Sequence, residues 1–178
     1  MAEPGSPTGV GAPTEVTIVV SDEQTEVGLD ARRWARLAHD VLEAEGRCGE
    51  LTLTFVDAIE MAALNSEHMG RSGPTDVLSF PLDGFDAEQD DVAAVGPVLL
   101  GDVVICPSVA AGAAPDHAGT LEDELALLTV HGVLHVLGHD HVEPGETIRM
   151  RTRELELLSA HHWNGPPPAA FVHEQGSP

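Results

Sequence analysis

The chain has 178 residues, enough for one domain of ordinary size whose core needs no disulfide or metal staple. Eight basic residues stand against thirty acidic ones, a net charge of −22, and every basic residue is arginine. So acidic a chain excludes a general nucleic-acid coat and a polybasic membrane binder, but not a local nucleic-acid site.

Residues 1–14, rich in Gly and Pro and lacking a basic start or an apolar block, read as a flexible leader and not as a secretory signal. Residues 15–20 (EVTIVV) have the β-branched content of a strand. A helix follows over 29–45, with Trp34, Leu37, Ala38, Val41 and Leu42 at helical spacing. After a turn at 46–49, Leu51, Leu53 and Phe55 alternate with threonine in a half-buried strand over 50–57. A short helix over 59–68 and a Gly-containing loop over 69–74 lead to a strand over 76–81 that stops at its proline. Residues 83–96 carry five acidic residues and read as an exposed loop or hairpin tip.

The most apolar strand candidate covers 97–106, with Asp102 its only charge. The next helix begins near Thr120, with Asp123 in the place of a weak capping box, and ends at Gly138. Pro144 is placed to start a last helix reaching about residue 160. Beyond it, 161–178 read as a flexible tail in which His161, His162 and His173 are solvated. The order β-α-β-α-β-β-α-α predicts an α+β fold: a single compact domain over 15–160, with a mixed sheet covered by helices. No apolar run is long enough to span a bilayer. Cys48 and Cys106 lack metal-ligand spacing and suit a reduced, cytoplasmic protein.

The chemistry concentrates in H-G-V-L-H-V-L-G-H-D-H at 131–141. His131 and His135, four apart on a helix, present their imidazoles on one face, one turn apart. Gly138 lets the chain double back, so His141 can approach as a third ligand, while His139 falls at the wrong phase. Three protein ligands with an open position describe a catalytic zinc site on a zincin-like helix. Asp140 either orients a ligand from behind or serves the turn. The spacing matches the H-E-x-x-H-x-x-G-x-x-H pattern of zincins except after the first histidine. There Gly132 replaces the glutamate that serves peptide hydrolysis, which makes a metzincin-like metallopeptidase the lesser reading.

This segment, together with P-T-D-V-L-S-F-P at 74–81, L-G-D-V-V-I at 100–105 and the spacing of Glu146, Met150 and Glu154, resembles the YbeY family of bacterial endoribonucleases. The resemblance covers most of 50–160. It implies cleavage of single-stranded RNA, with roles in maturing the 3′ end of 16S rRNA and in ribosome quality control. The implied partners are rRNA, ribosomal particles and ribosomal or assembly proteins, with no membrane. It also implies one Zn2+ per chain, held by His131, His135 and His141.

The family's aromatic-Arg pair corresponds here to His68-Met69, so Arg71, two residues on, is the candidate to bind the scissile phosphate; a solvated loop arginine is the plain alternative. Arg149, Arg151 and Arg153 form a candidate second patch. No side chain is assigned as catalytic: the expected nucleophile is a zinc-bound water or the RNA 2′-hydroxyl. A ribosome-assembly factor with an architectural zinc is the non-catalytic alternative.

Overall fold

The computed structural model describes residues 15–82, 98–139 and 143–173. The leader and the acidic 83–96 stretch, for which the sequence makes predictions, lie outside them. Strand β1 (Val16–Asp22) leads to helix α1 (Ala31–Ala44), β2 (Gly49–Phe55), α2 (Ala58–Met69), β3 (Val77–Pro81) and β4 (Leu99–Ile105). Then come α3 (Pro107–Ala113), a 3-10 turn (Ala114–Asp116), α4 (Leu121–Val136) and α5 (Pro144–His161). The sheet has the order β1-β2-β4-β3. β1, β2 and β4 run parallel, and β3 closes the edge antiparallel to β4. The predicted α+β domain with a mixed sheet is what forms.

Side-chain alternation divides the sheet into two unlike faces. Leu51, Leu53 and Phe55 of β2, with Val103 and Ile105 of β4, join the main core with Trp34, Val41 and Leu42 of α1 and Val130, Val133 and Leu134 of α4. The opposite face carries Leu78, Phe80 and Val104, over which α2 lays Met61 and Leu64. That cover is partial. A cleft of about 420 Å³ remains there, lined by Thr54, Glu60, Leu64, His68, Phe80 and Asp102 among others.

α4 packs against α1, α3, α5, β3 and β4. It is buried almost all round, which is why its apolar residues do not form a single stripe. α3 was not predicted. Its sequence, PSVAAGA, offers a proline at the first turn but no large apolar residues at helical spacing.

The chain after α5 departs from expectation. Residues 162–173 fold back over the domain instead of leaving it. The Trp163 and Phe171 rings meet edge to face at 4.8 Å and pack on the main core, and the Val172 N–H donates to the His117 carbonyl at 2.9 Å. His162 and His173 are therefore not solvated: each is bonded to a carboxylate, Asp123 and Glu154 respectively. His161 is exposed, as expected. The tail was misread because short Pro- and Gly-rich runs carry no periodicity, whereas single aromatic anchors suffice to dock them.

Candidate metal centre

The centre begins with the way α4 is bounded. At its N-terminus the Thr120 hydroxyl accepts from the Asp123 N–H at 3.1 Å, the predicted cap. The Asp123 carboxylate does not return to the Thr120 backbone as a capping box would. It accepts from the Thr120 hydroxyl at 2.8 Å, from His162 Nε2 at 2.8 Å and from Trp163 Nε1 at 2.6 Å. At the other end Gly138 takes a left-handed conformation (φ 87°). The His139 N–H reaches back to the Leu134 carbonyl at 3.0 Å, the bond that closes a Schellman turn. The helix thus spans what its caps predict, and the two histidines fall on its last two turns.

His131 and His135 are brought together as expected. Their ring centroids lie 4.4 Å apart with planes at 78°, and both side chains are partly exposed. Behind His131 stands Glu154 of α5, with only 3% of its side chain exposed. One oxygen accepts from His131 Nδ1 at 2.7 Å and the other from His173 Nε2 at 2.6 Å. Burial pushes the Glu154 carboxyl up, but the hydrogen bonds from His131 and His173, with the charge of those rings, outweigh it and bring it to about 2. The carboxylate is ionised and only accepts, so His131 carries a hydrogen on Nδ1. In the neutral ring the lone pair is then on Nε2, which is the tautomer a metal ligand needs. Two imidazoles on one rigid helix, one fixed from behind by a carboxylate, fit a zinc ion in donor chemistry and in support.

Other predicted residues divide. His139 Nε2 lies 3.2 Å from a carboxylate oxygen of Glu45 at the α1 terminus, so that nitrogen is already engaged. His141, the expected third ligand, and Asp140 lie outside the described residues. Arg71 sits in the exposed loop after α2 and has no side-chain partner among the described residues. That loop is shaped by Gly70, left-handed at φ 64°, and by the buried Asn65, whose amide donates to the Gly73 carbonyl at 2.8 Å. Asp76 then accepts from the Val77 N–H at 2.8 Å and so shapes the turn into β3. The loop enters β3 at Val77, two residues before Ser79, whose hydroxyl donates to the Gly132 carbonyl beside His131. That separation is about 7 Å of strand. His68 packs edge-on against Phe80 at 5.0 Å, as an aromatic residue would, while Met69 is half exposed. Arg153 does not join a free basic patch: it donates to Glu45 at 2.6 Å and to Glu156 at 2.8 Å.

Gly132 has a packing reason. A Cβ there would stand 2.5 Å from Val103 Cγ1 and 3.3 Å from Ser79 Oγ, so this position faces the sheet and a side chain would have to displace Val103. Away from this centre, His39, Asp40 and Glu43 bring ligand atoms within 4.8 Å of one another. They form a group able to meet a cation, but they lie on the solvent side of α1 and we assign them no role.

Sequence reasoning missed Glu154 as the partner of His131, and His173 entirely. Glu154 left a signal: with Glu146 and the buried Met150 it repeats every four residues, so one carboxylate lies on the inward face of α5. His173 left none.

With this geometry in place, the comparisons are decisive. The family profile described as Endoribonuclease YbeY matches residues 19–162. The chain belongs to the YbeY family. It is 50% identical over 148 residues to the endoribonuclease YbeY of Salinispora tropica, covering 80% of this chain and 93% of that one. It is 49% identical over 110 residues to that of Mycolicibacterium gilvum, where the match spans 61% of this chain and 62% of the relative. The solution structure of TM1509 from Thermotoga maritima superposes with a TM-score of 0.53 at 22% identity, covering 91% of this chain and all of that one. That likeness concerns the fold.

Proposed function

We propose that the protein is a zinc-dependent endoribonuclease specific for single strands, acting in the cytoplasm on 16S rRNA 3′-end maturation and ribosome quality control. The observation that carries this reading is the His131–His135 pair with Glu154 behind it. His141 is the proposed third ligand; His139 being engaged by Glu45 supports that choice. A zinc ion held there supplies acidification of a water and a positive charge against a phosphoryl oxygen. The protein's own part is to hold His131 in the ligating tautomer through Glu154. Arg71, on the exposed loop between α2 and β3, binds the scissile phosphate through its planar fork.

The peptidase reading loses support. Position 132 is a glycine whose missing Cβ would meet Val103, so the general base of a peptidase is absent and would have to displace the sheet to stand there. The net charge of −22 calls for ribosomal or assembly proteins as partners, because broad electrostatic attraction to RNA is absent.

The test incubates the purified protein and His131→Ala with single-stranded RNA and with casein, each with and without a chelator. Chelator-sensitive RNA cleavage, lost in His131→Ala, is the expected result. Peptide cleavage instead would restore the peptidase, and tight ribosome binding without turnover would leave an architectural zinc.

A further inference from the structure

Residues 162–173, a strap laid back over the domain after α5, are absorbed neither by the family motifs nor by the mechanism, yet His173 reaches the carboxylate behind the metal centre. We propose that His173 is a positioning residue: it locks the Glu154 carboxylate and, through it, the His131 imidazole. The proposal rests on the reading of His131 as a metal ligand.

Three observations carry it. The Glu154 carboxylate is nearly buried, and its two oxygens are divided between two imidazoles, His131 Nδ1 at 2.7 Å and His173 Nε2 at 2.6 Å. A carboxylate held at both oxygens cannot rotate about its last torsion, so the direction in which it orients His131 is set from the strap side as well. Without His173, one oxygen of a buried anion would lose its donor, and the group would turn or admit water. Second, the strap is delivered independently of that bond. Its tip is held by the Val172 N–H on the His117 carbonyl and by Phe171 against Trp163. Third, His117 is itself tied to α4, its Nδ1 lying 2.9 Å from both oxygens of the buried Glu124. The strap is thus referenced to the same helix that carries His131. His173 is only 16% exposed and lies 5.8 Å from the Phe171 ring, so its own rotamer is packed.

The test measures Zn2+ affinity by competition with a chromogenic chelator, and the visible spectrum of the Co2+-loaded protein. It compares full-length wild type, His131→Ala, His173→Asn and His173→Gln, with melting curves of each metal-free chain. Asparagine is too short to reach the Glu154 oxygen, whereas the glutamine amide reaches where Nε2 did. His173→Asn should weaken Zn2+ binding by about 10–100-fold and alter the cobalt bands, while His173→Gln stays within about threefold of wild type. Wild-type affinity and spectrum in His173→Asn, with or without a lower melting temperature, overturn the proposal and leave the strap a cover. Equal losses in both variants overturn the hydrogen bond as the cause. A wild type that binds no metal, with His131→Ala indistinguishable from it, overturns the metal reading and this inference with it.

Discussion

The two ends of α4 solve opposite problems with the same chemistry. At the N-terminal end the carboxylates belong to the helix, and the rings come to them: His162 and Trp163 to Asp123, His117 to Glu124. At the C-terminal end the rings belong to the helix, and the carboxylate, Glu154, comes from α5. In the first arrangement Asp123 and Glu124 of the helix's first turn are buried and hydrogen-bonded, and the cluster closes on itself. In the second, imidazoles project to a partly open surface with one nitrogen of His131 fixed from behind. A histidine that ends on a carboxylate is a brace, whereas one that starts from a carboxylate is available for chemistry. The contrast predicts that breaking the first cluster costs stability and breaking the second costs metal and activity.

The largest effect is expected from Glu154→Gln. The amide donates from one end where the carboxylate accepts at both, so it faces an N–H of His131 or of His173. If His131 yields, its hydrogen moves to Nε2 and the ring no longer ligates. Zn2+ affinity should fall by about 10–100-fold, with RNA cleavage at limiting metal falling in step. Titration against a competing chelator measures it, and unchanged affinity would show that the carboxylate's charge is not needed to hold His131 in the ligating tautomer.

Asp123→Ala is the mirror experiment. It strands the Trp163 and His162 donors and removes a cap partner of Thr120, a loss of about 3 kcal/mol. For a chain of this size that is about 10 °C in melting temperature. Zn2+ affinity of the folded fraction should not change. If it drops, the two clusters are coupled along α4 and the division drawn above is wrong.

Gly132→Ala has a smaller expected effect because two terms oppose. Alanine gains about 1 kcal/mol of helix propensity over glycine. Its Cβ, however, would stand 2.5 Å from Val103 Cγ1, and overpacking of a tight core costs about 1–3 kcal/mol. The net loss is about 1 kcal/mol, read from urea midpoints. A stabilised variant would mean that β4 can yield, and that position 132 had room for the glutamate of a peptidase.

What could be read beforehand follows from where the information is local. Caps and periodicity are local: Thr120, Gly138 and the spacing of His131 and His135 predicted both the helix and its chemistry. Leu51, Leu53 and Phe55 likewise predicted their strand by alternation. The partners of those histidines are not local. Glu154 lies 23 residues from His131 and 19 from His173, and nothing in those separations marks a bond. α3 was missed because small residues give periodicity nothing to register. The strap was missed because Trp163 and Phe171 dock it as isolated anchors in a Pro-rich run.

The smallest expected effect is the pH dependence of the N-terminal brace. Burial pushes the Asp123 carboxyl up, but hydrogen bonds from Trp163, Thr120 and His162, with the charge of His162, bring it below its ordinary 3.8. A carboxyl that holds its proton more weakly folded than unfolded stabilises the fold above the unfolded value, and this is lost as pH falls through the folded one. The unfolding free energy of wild type minus that of Asp123→Asn should therefore narrow as pH falls below 3.8. Glu154 titrates in the same acid range, but both chains contain it and its share cancels in the difference. Urea titrations at steps of pH measure this. A difference that stays level well below 3.8 would mean that Asp123 stabilises α4 as a neutral acceptor, with the charge of His162 irrelevant to the brace.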